Sequence, residues 1–218
     1  MAEPDKRTPR ERYRAQVQAE IKKHARQQIA TAGASALSLN AIAKQMGISG
    51  PALYRYFAGR DELITELVRD AYRSLADTFR ARAAAGTDLG DLAHALRQWA
   101  LDDPQRYFLI YGTPVPGYQA PEDTTRIAGE IMTVLLDACT AEQPSLTSPS
   151  PSPLDAHLSE HRAWAGAHPA PPSALHRALT VWTRLHGVLS LELAGHFTGM
   201  GFDPAELYTA EAETLTGR

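Results

Sequence analysis

Histidines and carboxylates are the first residues in this chain that could do chemistry. His157-Leu158-Ser159-Glu160-His161 spells H-x-x-E-H, in which two histidines on one helical face bind zinc beside a catalytic glutamate. The stretch follows a Ser/Pro-rich run, is not embedded in an apolar helix and has no evident third ligand. A solvated helix face is the better reading. Trp182, His186 and Leu189 share a face of a long apolar helix, with Glu192 nearby. Such a histidine is either a satisfied core residue, bonded to backbone or carboxylate, or a polar contact in a ligand pocket. Trp99, Tyr107, Phe108, Tyr111, Met132, Leu135 and Trp182 stand at helical spacings that suit either plain core or the lining of a pocket between helices. Cys139 is the single cysteine, which excludes an internal disulfide and a thiolate zinc site; it reads as a small buried hydrophobe. The chain has no glycine-rich phosphate loop and no defensible Ser/His/Asp arrangement. No catalytic residue, metal site or cofactor is expected, and the chain reads as a non-enzyme.

A different chemistry gathers near the N-terminus. The net charge of -3 hides an asymmetry: residues 1–60 carry 11 Lys and Arg against 4 acids, leaving 11 basic and 21 acidic residues in 61–218. A basic segment on an acidic body points to a polyanion partner for that segment, although basic stretches are often only solvated helix faces. Ser49, Gly50 and Pro51 open a short helix whose positive dipole end favours phosphate. Ala52, Arg55 and Tyr56 share its outer face, with Tyr54 at the flank. The tyrosines offer hydroxyls to phosphate and ring faces to thymine methyls, and Arg55 can reach guanine or phosphate.

The elements that must hold these residues are helices, because no run of alternating β-branched residues occurs. Thr8, Pro9 and Glu11 form a capping-box start. Tyr13, Val17, Ile21, Ala25 and Ile29 then recur every four residues until Gly33. Ser38 caps a second helix with Leu39, Ile42, Ala43 and Met46 on one stripe. Gly47 ends it, Ile48 plugs the corner, and Ser49 caps the third helix, in which Leu53 and Phe57 face inward. Two short helices joined through Gly47 in this way make a helix-turn-helix. Leu63, Leu67, Ala71, Leu75 and Phe79 continue as a long connecting helix, Arg60 to Ala84. Further helices are expected from Thr87-Asp88 to Asp102, Gln105 to Tyr111, Glu122 to Ala141, Leu154 to Ala167, Ser173 (as cap) to Phe197, and Pro204 to Leu215. Residues 143–153 lack apolar periodicity and read as a mobile linker. The fold class is all-α: a helix-turn-helix domain over 1–62 and a larger helical body over 63–218.

Residues 38–63, from Ser38 through Ala52-Leu53-Tyr54-Arg55-Tyr56-Phe57 to Asp61-Glu62-Leu63, resemble the DNA-binding signature of the TetR family of bacterial regulators. The likeness covers roughly residues 10–70. Trp182 to Gly187, with Tyr111 to Tyr118, resembles a TetR subgroup named for a Trp-His-Gly motif. The resemblance implies a homodimeric regulator with a three-helix head and a ligand-binding body. Carried over by position, Ser38 and Asn40 begin the helix that crosses the DNA backbone. Ser49, Gly50, Pro51, Ala52, Tyr54, Arg55 and Tyr56 enter the major groove, and Arg60 clamps a phosphate. The family usually has Lys at that last place, and Arg preserves the charge.

The expected partners are a palindromic double-stranded DNA operator, a second copy of the chain and a small-molecule effector that releases a repressor. The dimer would pack 173–197 and 204–216 as a four-helix bundle, with Leu175, Leu179, Leu189, Leu193 and Phe197 divided between core and interface. The alternatives are a helical enzyme centred on the H-x-x-E-H stretch or His186, and a non-specific architectural DNA binder. The acidic body argues against the latter. No apolar run approaches the ~18 residues that span a bilayer, and residues 1–7 lack the apolar core of a signal peptide. The expected location is the cytoplasm, with no membrane partner.

Overall fold

The computed structural model describes residues 8–86, 88–113, 115–141 and 152–217. Among them every regular element is helical: α1 (Pro9–Ala32), α2 (Leu39–Gln45), α3 (Gly50–Tyr54), α4 (Arg60–Ala84), α5 (Leu89–Asp102), α6 (Pro104–Tyr111), α7 (Glu122–Ala141), α8 (Pro153–Glu160), α9 (Pro172–Leu193) and α10 (Pro204–Thr216), with short 3-10 turns at Ala34–Ala36 and Ala163–Ala165. The all-α fold expected from the periodicity is the fold observed. The chain divides into two compact units. One comprises residues up to Ala71 with Phe108–Pro121, the other Tyr72–Tyr107 with Glu122 onward. Helices α4 and α6 each contribute residues to both.

In the first unit, α1 starts as the sequence predicts. Thr8 Oγ1 accepts from the Glu11 amide while Glu11 Oε2 accepts from the Thr8 amide at 2.6 Å, satisfying two donors that the first turn leaves without partners. The expected apolar stripe is buried only from Ile21 onward, through Ala25 and Ile29; Tyr13 is 64% exposed. The first turns of α1 therefore project past the buried core. Leu37, Leu39, Ile42, Ala43, Leu53, Phe57, Leu63, Ile64, Leu67, Val68 and Ala71 add to that core. Lys22 Nζ lies 3.1 Å from Glu66 and 3.0 Å from Asp70, tying α1 to α4. Burial alone would raise the Glu66 pKa, but hydrogen bonds from Arg69 and Lys22 hold it below the ordinary value.

In the second unit, α9 packs against α7, α8 and α10, and α5 packs against α7, α9 and α10. Leu175 and Leu189 are fully buried within the chain, whereas Leu179, Leu193 and Phe197 stay half-buried and Leu191 is 45% exposed.

Several expected boundaries differ. Helix α9 stops at Leu193 rather than Phe197, because Gly195 takes a left-handed conformation (φ 78°). The His196 amide then donates to Leu191 O and the Gly195 amide to Glu192 O, both at 2.9 Å, closing the helix with a Schellman motif. At its other end Pro171, not Ser173, is the N-cap, and Pro172 fits the first turn because its missing N–H is not needed there. The helix expected over Leu154–Ala167 ends at Glu160. Arg162 turns its guanidinium to the carbonyls of His168 and Ala170, at 2.5 and 3.1 Å, holding the segment after α8 as a loop.

The linker expected over 143–153 lies mostly outside the described residues. Its last two members, Ser152 and Pro153, are the N-cap and first residue of α8, in a capping box with Asp155. A Ser-Pro-x-Asp start was hidden in what composition marked as linker. Thr87, placed at the start of the fifth helix, and Pro114 also lie outside the described residues, and Asp88 is the N-cap of α5.

Phe57 is 2% exposed and lies just beyond α3. Phe57→Ala should therefore cost about 3–5 kcal/mol of stability, read as a lowered urea midpoint with loss of the head's cooperative unfolding. An unchanged midpoint would show that this ring does not hold the head together.

Candidate nucleic-acid interface

The DNA-reading unit is built by two caps and one turn. Ser38 Oγ accepts from the Ala41 amide and Ser49 Oγ from the Ala52 amide, each at 3.3 Å, so both short helices begin where their serines stand. Gln28 on α1 fixes the start of α2 by accepting the Ser38 amide at 3.0 Å. Between the helices Gly47 has φ 66°. The Ile48 amide reaches Ala43 O at 3.0 Å and the Gly47 amide reaches Lys44 O at 3.2 Å, a second Schellman closure. A side chain at position 47 would strain this left-handed turn. Ile48 is half-buried at the corner.

Leu53 is 0% and Phe57 2% exposed, whereas Tyr54 is 48% exposed, Arg55 is exposed and Tyr56 is half-buried. The apolar pair faces in and the Arg/Tyr edge faces out, as their spacing predicts. Pro51 is exposed and Ala52 half-buried at the start of the same face. Ser38, Asn40 and Ser49 are all exposed. Gly50 sits close to the start of α2: a Cβ built there would lie 3.4 Å from Asn40 Oδ1.

Arg60 opens α4 with its side chain 31% exposed. Its Nη2 donates to Ala34 O at 3.0 Å and its Nη1 lies 3.4 Å from Asp61 Oδ1. Part of its guanidinium is thus committed to the protein, and its Nε is buried. Sequence reasoning passed over Arg14. Its Nη2 donates to Arg55 O at 3.2 Å, and its guanidinium carbon lies 5.4 Å from the Tyr56 ring centroid. The signal available was its place in the exposed first turns of a basic helix.

The residues singled out for a pocket divide between the units. Phe108 and Tyr111, both half-buried, belong to the first. Trp99, Tyr107, Met132, Leu135, Trp182 and His186 belong to the second, where Trp99, Tyr107 and Leu135 are buried and the others half-buried. A polar cluster forms among these. The Tyr107 hydroxyl lies 2.9 Å from His186 Nδ1 and 3.0 Å from Ser190 Oγ, and Ser190 donates to the His186 carbonyl at 2.7 Å. The Trp182 ring packs 4.2 Å from the His186 ring. Trp99 Nε1 donates to Ser74 Oγ at 3.1 Å, and Arg106 covers the Trp99 ring at 4.4 Å. Glu192, placed near His186 by spacing, is held by Arg97 at 2.5 Å.

Burial pushes His186 down from 6.5 to about 4, so its ring is neutral near pH 7, and burial also raises the Tyr107 hydroxyl. The His157 and His161 rings stack at 4.2 Å, and both residues are exposed. Among the described residues no group of three or more His, Cys, Asp or Glu side chains could hold a metal ion.

A capped helix, a glycine turn and a second capped helix with an outward Arg/Tyr edge define a helix-turn-helix DNA-binding regulator. Residues 21–67 match the family described as bacterial regulatory proteins, tetR family, and residues 89–215 match the tetracyclin repressor-like C-terminal domain. The chain belongs to the TetR family of bacterial transcription regulators. It is 35% identical, over 93% of its length and 92% of theirs, to the HTH-type transcriptional regulators Rv1816 of Mycobacterium tuberculosis and Mb1846 of Mycobacterium bovis. The crystal structure of SCO4313, described as a regulatory protein, superposes with a TM-score of 0.89 at 71% identity, covering 97% of this chain and 100% of that one. A TetR/AcrR family regulator from Thermobifida fusca shares the fold alone, with a TM-score of 0.56 at 17% identity over 92% and 97% of the two chains. No helix among the described residues is long and apolar enough to cross a membrane.

The cluster around His186 makes stability depend on pH. The unfolded chain binds a proton near 6.5, whereas the folded chain binds one only near 4, so folding releases a proton between these values. The contribution is intact above pH 6.5 and is lost as pH falls toward 4, by on the order of 1–3 kcal/mol. Thermal melts from pH 7 to 4 should show this loss, and His186→Gln should flatten it; an identical pH slope in the variant would place the titration elsewhere.

Proposed function

We propose that this chain is a homodimeric repressor that binds a near-palindromic operator through Ser38, Asn40, Ser49–Ala52 and Tyr54–Tyr56, and leaves it when a small molecule occupies the body. The observation that carries the DNA-reading part is the facing of α3. Leu53 and Phe57 are buried, while Tyr54 and Arg55 stand in solvent beside a helix start whose amides favour phosphate. The functional boundary between head and body lies near residues 62 and 63. Arg60 is a phosphate clamp whose partial commitment to Ala34 O also fixes its direction.

Dimerisation is assigned to α9 and α10, where half-buried Leu179 and Leu193 and exposed Leu191, with half-buried Phe197 in the connection after α9, remain after Leu175 and Leu189 have filled the core. Two heads would meet successive major grooves ~34–36 Å apart. The effector reading rests on the cluster of Tyr107, Trp182 and His186, with Trp99, Met132 and Leu135 in the same unit; Phe108 and Tyr111, in the other unit, remain candidates from the sequence alone. The neutral state of His186 suits an uncharged, largely apolar effector. The Trp182-His186-Gly187 pattern supports placing the chain in the Trp-His-Gly subgroup. A bacterial regulator of DNA would work in the cytoplasm, and the assigned role requires no catalysis.

The test is a binding titration on the palindrome recovered when the wild-type protein selects from random duplexes. Arg55→Ala and Tyr54→Ala should each weaken binding by about tenfold or more with melting unchanged. Arg60→Ala should lower affinity for all sequences alike and make the salt dependence shallower by about 0.9 in log–log slope. Undiminished binding in the first two variants would remove α3 as the reading helix. Sedimentation should give twice the 23.8 kDa chain mass, and Leu191→Glu should shift it toward the monomer.

A further inference from the structure

We infer that Arg14 is a positioning residue for sequence readout, acting through the C-terminal end of α3 rather than on the DNA backbone. The inference rests on the reading of α3 as the DNA-reading helix. That helix has only five residues, Gly50–Tyr54, and its start is held by the Ser49 cap. Its far end is where a helix leaves carbonyls without internal partners and where its dipole is negative. A cation that donates to such a carbonyl is well matched to the place.

Arg14 supplies that cation from another element. Its Nη2 donates to Arg55 O at 3.2 Å, across a separation of 41 residues in sequence, and its guanidinium lies 5.4 Å from the Tyr56 ring centroid, within cation–π range. One planar group therefore touches the backbone of one reading residue and the ring of the next. Those contacts fix the direction in which the Arg55 and Tyr56 side chains leave the helix end. The anchor is itself held: α1 carries the buried Ile21, Ala25 and Ile29, and Lys22 ties it to Glu66 and Asp70. Arg10, Arg12 and Tyr13 share the exposed start of α1 without a hydrogen bond to α3 among those described. Among the described hydrogen bonds, it is Arg14 that reaches the helix end from that turn.

A positioning role and a phosphate contact differ in what they do to salt dependence. Each neutralised phosphate contributes about 0.9 to the log–log slope of affinity against salt. A residue that only orients base-reading side chains changes specific affinity and leaves that slope unchanged. Arg14→Ala and Arg14→Lys should be titrated on the palindrome selected by the wild-type protein and on a random duplex, at several salt concentrations, with Arg55→Ala in parallel. Lysine keeps the charge but lacks the planar fork that serves carbonyl and ring together.

The expected result is about a tenfold loss on the palindrome for both Arg14 variants, unchanged binding to the random duplex, an unchanged slope, and a repeat selection with Arg14→Ala that is degenerate at the positions Arg55→Ala also relaxes. Melting should stay at the wild-type value, since Arg14 is exposed. Three outcomes overturn the inference: equal losses on both duplexes with a shallower slope, which makes Arg14 a phosphate contact; full activity in Arg14→Lys, which makes charge the only requirement; or no loss in Arg14→Ala. If Arg55→Ala also binds normally, the reading of α3 fails with it. If Arg55→Ala is impaired and Arg14→Ala is not, only the positioning role is lost.

Discussion

A helix of five residues cannot sustain itself in water, because nucleating a helix fixes several residues for each hydrogen bond gained. Helix α3 exists because something outside it fixes its conformation. Leu53 within it and Phe57 just beyond it are buried to 0% and 2% exposure, and the Ser49 hydroxyl satisfies an amide that the first turn would otherwise leave to solvent. Every other feature of the head serves that anchorage. The Gly47 turn brings Ile48 to the corner, α2 lends Leu39, Ile42 and Ala43 to the same core, and the Lys22 ion pairs brace α1 on α4. The outward Arg/Tyr edge follows from the inward apolar pair, since the two share so few turns.

Most of the head was readable in the sequence because its signals are local. Thr8-Pro9-x-Glu11, Ser38, Gly47 and Ser49 each specify a cap or turn through backbone hydrogen bonds within a few residues, and the structure places those bonds there. What periodicity could not show was where α1 leaves the core. Tyr13 keeps the four-residue repeat yet stands 64% exposed, because burial depends on how far neighbouring elements extend. Arg14 escaped notice for the same reason: its partners Arg55 and Tyr56 are distant in sequence. At α8 a serine–proline start was masked by the low-complexity composition around it, and at α9 the stop at Gly195 was overridden by the apolar residues that follow.

The polar cluster of the second unit shows the opposite balance. Spacing brought Trp182 and His186 together and left backbone, a carboxylate or a ligand as the histidine's partner; nearby Glu192 is held by Arg97. The ring instead meets the neutral Tyr107 hydroxyl, which the Ser190 hydroxyl contacts in turn. That choice matters electrostatically. A carboxylate at His186 would favour the imidazolium, whereas hydroxyls in a shielded place leave burial to decide and the ring stays uncharged. Charged groups in this unit stand elsewhere, in pairs such as Arg97–Glu192 and Arg73–Glu130.

The near contact between Gly50 and Asn40 has a consequence for how this head could change its target. The first residue of α3 and an exposed residue in the first turn of α2 stand close enough that a methyl group at position 50 would be in van der Waals contact with the Asn40 amide oxygen, 3.4 Å away. A longer residue at position 50 directed at α2 would press on the Asn40 amide, which would then rotate away. Evolution toward a new DNA sequence through position 50 would thus tend to move Asn40 with it, so these two sites should vary as a pair rather than singly.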